Sequence, residues 1–136
     1  ALHEALRIVL EEGLDKCFER HLSHHRALKA GLAAIGIRYA TKETCQLPML
    51  NAVLIPNGAD DAKTRRLLLD RFGIEIGGGL GAFKGKAWRI GLMGHSARAE
   101  TVYKFLAALE QLLAEQGLRV KSGASIAAAN DSYRSS

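Results

Sequence analysis

Cysteine and aromatic residues are scarce in this chain, and each shortage removes a class of explanation. The two cysteines, Cys17 and Cys45, form no C-x-x-C pair and match no zinc-ligand spacing, so neither a disulfide framework nor a thiolate metal site is encoded. Unpaired thiols suit a reducing compartment, and the expected location is cytoplasmic. Aromatics make up 6% of the residues, too few for a base-stacking platform. The net charge of +5 is dispersed, with Arg65 and Arg66 the only adjacent basic pair. Nucleic-acid binding is therefore not expected. No apolar run approaches the length of a membrane span and no signal-peptide pattern opens the chain, so no membrane partner is expected. The nucleophile elbow G-x-S-x-G and the metalloprotease pattern H-E-x-x-H are both absent. No catalytic residue is assigned.

Glycine and periodically spaced leucine are plentiful instead. With 136 residues, 48% hydrophobic and 24% charged, the chain has the ordinary make-up of one globular domain with a real core. Leu2, Leu6, Val9, Leu10, Leu14, Phe18, Leu22, Leu28 and Leu32 recur at helical spacing, which predicts one long helix over residues 1–34 ended by Gly36. A small domain cannot cover a stripe that long, so part of it is expected to face a neighbouring domain. The chain opens at Ala1 already in this pattern and reads as a piece of something longer. Residues 37–41, 50–55, 74–76 and 87–92 read as short strands. Helices are expected from Asp60 or Asp61 to Phe72, with Gly73 as the stop, and over residues 97–116 with Ser96 as cap and Gly117 as closure. The element order predicts an α+β fold: a long N-terminal helix and a small, mostly antiparallel sheet with helices on one face. Residues 1–118 form the domain. "VKSGASIAAANDSYRSS" is small and polar without sustained periodicity, so residues 119–136 read as a flexible tail.

Three features invite a chemical reading. The first is "GGGLGAFKGKAWRIGLMGH", residues 77–95. Gly77 to Ala82 formally match G-x-G-x-x-A, but a dinucleotide site needs a helix to begin there, and a strand follows instead. A P-loop would need glycine at Leu80 and Ser or Thr at Ala87. The second is His21, His24 and His25, whose i, i+3, i+4 spacing can bind zinc; with no carboxylate ligand nearby they read as a solvated polar face, and no metal site is assigned. The third is Arg89, which the strand alternation sets opposite Trp88 and Ile90. An arginine there meets either a surface carboxylate or an anionic ligand.

These residues also carry a family resemblance. "FGIEIGGGLGAFKGKAWRIGLMGHSARAETVYKFLAALEQLL" combines I-x-G-G-L-G with G-K-x-x-R-I-G-x-x-G, at Ile76, Gly78 to Gly81, Gly85-Lys86, Arg89-Ile90-Gly91 and Gly94. It resembles the C-terminal domain of class V aminotransferases, the pyridoxal-phosphate enzymes of alanine–glyoxylate or serine–pyruvate type. "ALHEALRIVLEEGLDKCFERH" and "LPMLNAVLIPNGADDAKTRRLLLDRFGIEI" resemble the preceding part of that region, so the likeness runs from Ala1 to Gly117. It implies the C-terminal domain of the fold-type I enzymes, with residues 1–34 as the connecting helix. It implies that Arg89 binds the substrate carboxylate. The parent would act on an amino acid and a 2-keto acid, require pyridoxal phosphate, and form a homodimer. The Schiff-base lysine and the other cofactor ligands would lie in a large N-terminal domain outside this chain, so no cofactor-binding residue is assigned here and this chain alone is not expected to bind pyridoxal phosphate or act catalytically. Some relatives carry the label of a soluble hydrogenase subunit, which would make the chain an accessory piece; two distant cysteines could not hold an iron–sulfur or nickel–iron centre. A non-catalytic interaction module using the long helix is the other alternative.

Overall fold

A computed structural model describes residues 1–135 and has the α+β architecture the pattern predicts. The long helix is two helices, α1 (Leu2–Glu12) and α2 (Leu14–Ala34). Gly13 breaks the run at φ 84°, ψ 138°, a conformation that side-chain-bearing residues rarely adopt. The leucine periodicity continues across this break, which is why it did not show in the pattern. No residue of α1 is buried, whereas α2 buries His21, His25, Ala27, Leu28, Gly31 and Leu32. Gly31 serves close packing: a Cβ there would lie 2.4 Å from Leu106 Cδ1 and 2.8 Å from the Ser125 carbonyl oxygen.

The sheet has three antiparallel strands in the order β1 (Leu50–Leu54), β3 (Ala87–Gly91), β2 (Gly77–Gly78). Its register pairs Asn51 with Ile90, Ala52 with Arg89, Val53 with Trp88, and Gly77 with Arg89. Two predicted strands are largely absent. At residues 37–41, pairing with β1 reduces to a bridge between Tyr39 and Val53, flanked by bonds from Ala40 N to Ala52 O and Leu54 N to Arg38 O. At residues 74–76, the chain is still finishing a helix, because Ile74 N bonds back to Leu68 O.

Helix α3 (Asp61–Phe72) is capped by Asp60, whose Oδ1 accepts from Lys63 N at 2.9 Å, and Gly73 closes it in the left-handed conformation. Helix α4 (Ala99–Glu115) starts at Arg98 without a side-chain cap; Ser96 lies in a short 3-10 turn instead. Trp88, Leu28, Leu32, Val53 and the α4 leucines Leu106, Leu109, Leu112 and Leu113 form the centre of the core. The opposite outcome holds along the N-terminal stripe, where Leu2 is 73%, Leu10 76% and Phe18 62% exposed. No helix among the described residues is long and apolar enough to cross a membrane.

The expected flexible tail is corrected by helix α5 (Ala124–Arg134), which packs against α2 and α4. Ser136 lies outside the described residues. Ser125 and Ala129, spaced four apart, present a small face that lets α5 approach closely, and both are buried. The start of α5 is capped from a distance: Glu110 accepts from Ser125 Oγ at 2.5 Å, Ser125 N at 3.2 Å and the amide of Gly123. At the far end Tyr133 Oη meets His24 Nδ1 at 2.7 Å. Burial raises the Glu110 carboxyl, but its bonds to Ser125 and Gly123 outweigh this and hold it below its ordinary 4.5.

Two expectations follow from these buried groups. Replacing Glu110 with alanine should lower the unfolding free energy by about 1.5–3 kcal/mol, the worth of a hydrogen bond to a charged group, and should expose α5 to proteolysis before the rest of the chain. Chemical denaturation and limited proteolysis check this. Burial also lowers His24 and His25 below 6.5. The unfolded chain therefore takes up protons first on acidification, and stability should start to fall below pH 6.5. A second loss should begin below about pH 4.5, as Glu110 is protonated, and should be smaller in Glu110→Ala; denaturant midpoints measured across this pH range are the check.

Candidate functional site

β3 has a hydrogen-bonded neighbour on each edge, so its side chains divide strictly between two faces. Trp88, Ile90 and Leu92 go to the helix side and are all but fully buried. Trp88 Nε1 donates to Asp61 Oδ1 at 3.0 Å, and Asp61 also accepts from Arg65 Nε at 2.8 Å. The Asp61 carboxyl is held below its ordinary value, chiefly by the bond from Arg65 and also by Trp88.

Arg89 is left on the other face, half-buried on the central strand of the sheet. Its Nε donates to the carbonyl oxygen of Gly78 at 2.8 Å. Among the described residues no carboxylate lies within ion-pair distance of it, and its terminal nitrogens Nη1 and Nη2 have no protein partner. The surface carboxylate that would explain an ordinary strand arginine is not there. The guanidinium is oriented through one nitrogen, with its two terminal nitrogens unclaimed.

The histidines are not a solvated face. His25 Nδ1 donates to Asn51 Oδ1 at 2.7 Å, and Tyr39 Oη donates to the same oxygen at 2.7 Å. Asn51 is fully buried, and its Nδ2 approaches the Ile90 carbonyl at 3.4 Å, so this network braces β3 beside Arg89. Burial pushes the Tyr39 hydroxyl well up. His21 Nδ1 donates to the Cys17 carbonyl at 2.7 Å while its Nε2 accepts from Gly94 N at 3.1 Å, which sets the tautomer. Arg20, paired with Glu12, donates to the carbonyls of Gly94 and Ala97 at 2.9 Å. Together His21 and Arg20 tie the loop after β3 to α2. Each histidine of the triplet is occupied by protein, and no group of three or more potential metal ligands occurs among the described residues. Neither Asn51 nor Gly78 was legible as a site-supporting residue, because each acts through contacts set by strand pairing.

The glycine loop between β2 and β3 is closed by four amides that bond within it or to the start of β3. Phe83 N bonds to Leu80 O at 3.0 Å, Lys84 N to Gly81 O at 3.1 Å, Lys86 N to Phe83 O at 2.9 Å and Gly79 N to Ala87 O at 2.8 Å. A phosphate cradle needs amides gathered at the start of an α-helix, and here the loop makes only a three-residue 3-10 turn, Gly81–Phe83, before β3. Gly79 is sterically required: a Cβ there would sit 2.0 Å from the Phe83 carbonyl oxygen.

The chain is 45% identical over 133 residues to the (S)-ureidoglycine–glyoxylate transaminase of Bacillus subtilis, covering 98% of this chain and 32% of that protein. It is 39% identical over 114 residues to the alanine–glyoxylate aminotransferase of Callithrix jacchus, covering 83% of this chain and 28% of that protein. It superimposes on the crystal structure of the Bacillus subtilis ureidoglycine–glyoxylate aminotransferase with a TM-score of 0.93 at 44% identity, over 98% of this chain and 34% of that one. A protein named as the small subunit of a soluble hydrogenase, from Synechococcus, is 34% identical over 131 residues, which is 96% of this chain and 34% of that protein. No family model matches the chain. The chain thus spans about a third of the length of the curated relatives it matches.

Gly79→Ala should force the Phe83 carbonyl to move and cost about 1–3 kcal/mol, as overpacking does. Its thermal midpoint should fall, and protease cleavage should appear within residues 79–86; an unchanged melting curve would show that the loop is not tightly closed.

Proposed function

Given that the chain belongs to the class V aminotransferases, we propose that it is the domain of such an enzyme that grips the substrate's carboxylate, with Arg89 as the gripping residue. One observation carries this reading: a half-buried arginine on a central strand, fixed through Nε, with both terminal nitrogens free of protein partners. Guanidinium forms two parallel bonds to a carboxylate, and its terminal nitrogens are the natural donors once Nε is occupied. The parent would transfer an amino group between an amino acid and a 2-keto acid. The relatives named for ureidoglycine, alanine and glyoxylate all handle such α-carboxylates.

The residues present do not fit the cofactor itself. Seven of the eight lysines are exposed, and the eighth, Lys29, pairs with Glu43 at 2.5 Å. None sits in the desolvated pocket that a Schiff-base lysine needs. Pyridoxal phosphate and its lysine are therefore assigned to a large domain outside this chain, and the amino-transfer step belongs to that domain. The exposed stripe from Leu2 to Phe18 supplies the apolar surface such a domain would cover, in a parent that acts as a homodimer. The likeness to a hydrogenase subunit supports a second reading, as an accessory piece. Purification of the protein with its partners separates the two: a nickel- or iron-containing partner that copurifies with it would favour the second.

Two measurements test the first reading. Incubated with pyridoxal phosphate and reduced with borohydride, this chain should give no stoichiometric adduct at a single lysine; such an adduct would overturn the assignment of the lysine elsewhere. In the full-length protein, Arg89→Lys keeps the charge but loses the fork. Loss of one charge-assisted bond, about 1.5–3 kcal/mol, should lower kcat/KM roughly 10- to 150-fold. The change should lie mostly in KM if the carboxylate is held equally in ground and transition states, with cofactor absorbance unchanged. Unaltered KM and kcat for alanine and serine would remove Arg89 from the site.

A further inference from the structure

The strand beside Arg89 consists of two glycines, and the two are not equivalent. In strand pairing Gly77 lies directly opposite Arg89, and Gly78 opposite Trp88. The positions where their side chains would stand therefore fall on opposite faces. A Cβ on Gly77 would meet Arg89 Nη2 at 3.0 Å, Cζ at 3.4 Å and Nε at 3.4 Å. These distances set the guanidinium against the Gly77 Cα, so close that a methyl group there would press on it and make it give way. A Cβ on Gly78 would meet Arg65 at 3.7 Å, an ordinary contact. Arg65 is itself held by Asp61, which also accepts from Trp88. The glycine ribbon is thus bounded by one guanidinium on each face, and Gly77 faces the one without a carboxylate.

We propose that Gly77 is a positioning residue for the substrate-binding arginine: its missing side chain leaves the space in which the Arg89 guanidinium lies against β2, bonded through Nε to Gly78, with both terminal nitrogens turned to the substrate carboxylate. This rests on the reading of Arg89 as the carboxylate anchor. The backbone does not itself demand glycine here, because Gly77 is not among the glycines with positive φ. An alanine can take up this strand conformation, and the atoms it would press on are the far end of a flexible side chain. The methyl group would be accommodated by displacing the guanidinium rather than the fold. A two-pronged pair with a carboxylate requires both N–H vectors to stay aligned, and the atom the methyl presses on most closely, Nη2, is one of the two free donors.

The experiment uses the full-length, cofactor-loaded protein and three variants: Arg89→Lys, Gly77→Ala and the double substitution. KM and kcat for alanine with glyoxylate are measured, along with calorimetric binding of pyruvate, cofactor absorbance and thermal unfolding. Gly77→Ala should raise KM and weaken pyruvate binding roughly 10-fold, on the scale of one charge-assisted bond. It should leave kcat, cofactor absorbance and the melting curve essentially unchanged. In the Arg89→Lys background it should cause no further rise, because its whole effect passes through the guanidinium. If Arg89→Lys itself leaves KM unchanged, the carboxylate reading fails and this inference with it. If Arg89→Lys raises KM but Gly77→Ala does not, the anchor stands and the positioning role is overturned. Additive effects in the double substitution, or a Gly77→Ala protein that is insoluble or strongly destabilised, would likewise overturn it, since each would show the methyl acting on the fold rather than on Arg89.

Discussion

The central place of β3 in its sheet is the constraint from which the rest of the site follows. A strand paired on both edges has no freedom to rotate its side chains toward whichever side suits them. Trp88 must be buried, and its indole N–H must find a partner there, which Asp61 supplies. Once that face is settled, the next residue has to emerge on the other side. Arg89 owes the face on which it stands to the burial of Trp88. A one-residue slip in the pairing would exchange the two and bury a guanidinium against leucines.

The frame around this strand consists largely of polar contacts between buried groups. His25, Tyr39 and Asn51 converge under β3, while His21 and Arg20 fasten the segment that leaves it. Such groups are expensive to bury alone and acceptable only when fully paired, so they specify one arrangement rather than adding much net stability. That suits a face proposed to hold an arginine steady before a carboxylate arrives.

How much of this was legible depended on whether the signal was local. The α3 boundaries could be read from Asp60 and Gly73, because cap chemistry acts within one turn. The Trp88–Arg89 alternation could be read because a paired strand enforces period two. The family motif around Arg89 singled out the residue proposed as the carboxylate anchor before any geometry was known. The break at Gly13 could not be read, since the leucines on either side keep their spacing through it. Helix α5 was missed because its determinants are remote: a carboxylate on α4 caps it, and its small residues matter only against α2. The histidine triplet looked solvated because nothing next to it in sequence reveals that Asn51 and Gly94 will arrive from other elements.

The break at Gly13 has a mechanical consequence. A continuous helix would transmit any tilt of its first turns straight into α2, and through the close contact at Gly31 into α4 and α5. Here the first eleven residues of the helical stretch form a separate rod, with none of its side chains in the core. Whatever α1 rests against can swing it like an arm on a joint, and the interior need not repack to follow. The arm's amide protons should accordingly exchange with solvent on a faster clock than those of α2, although the two helices meet at a single residue.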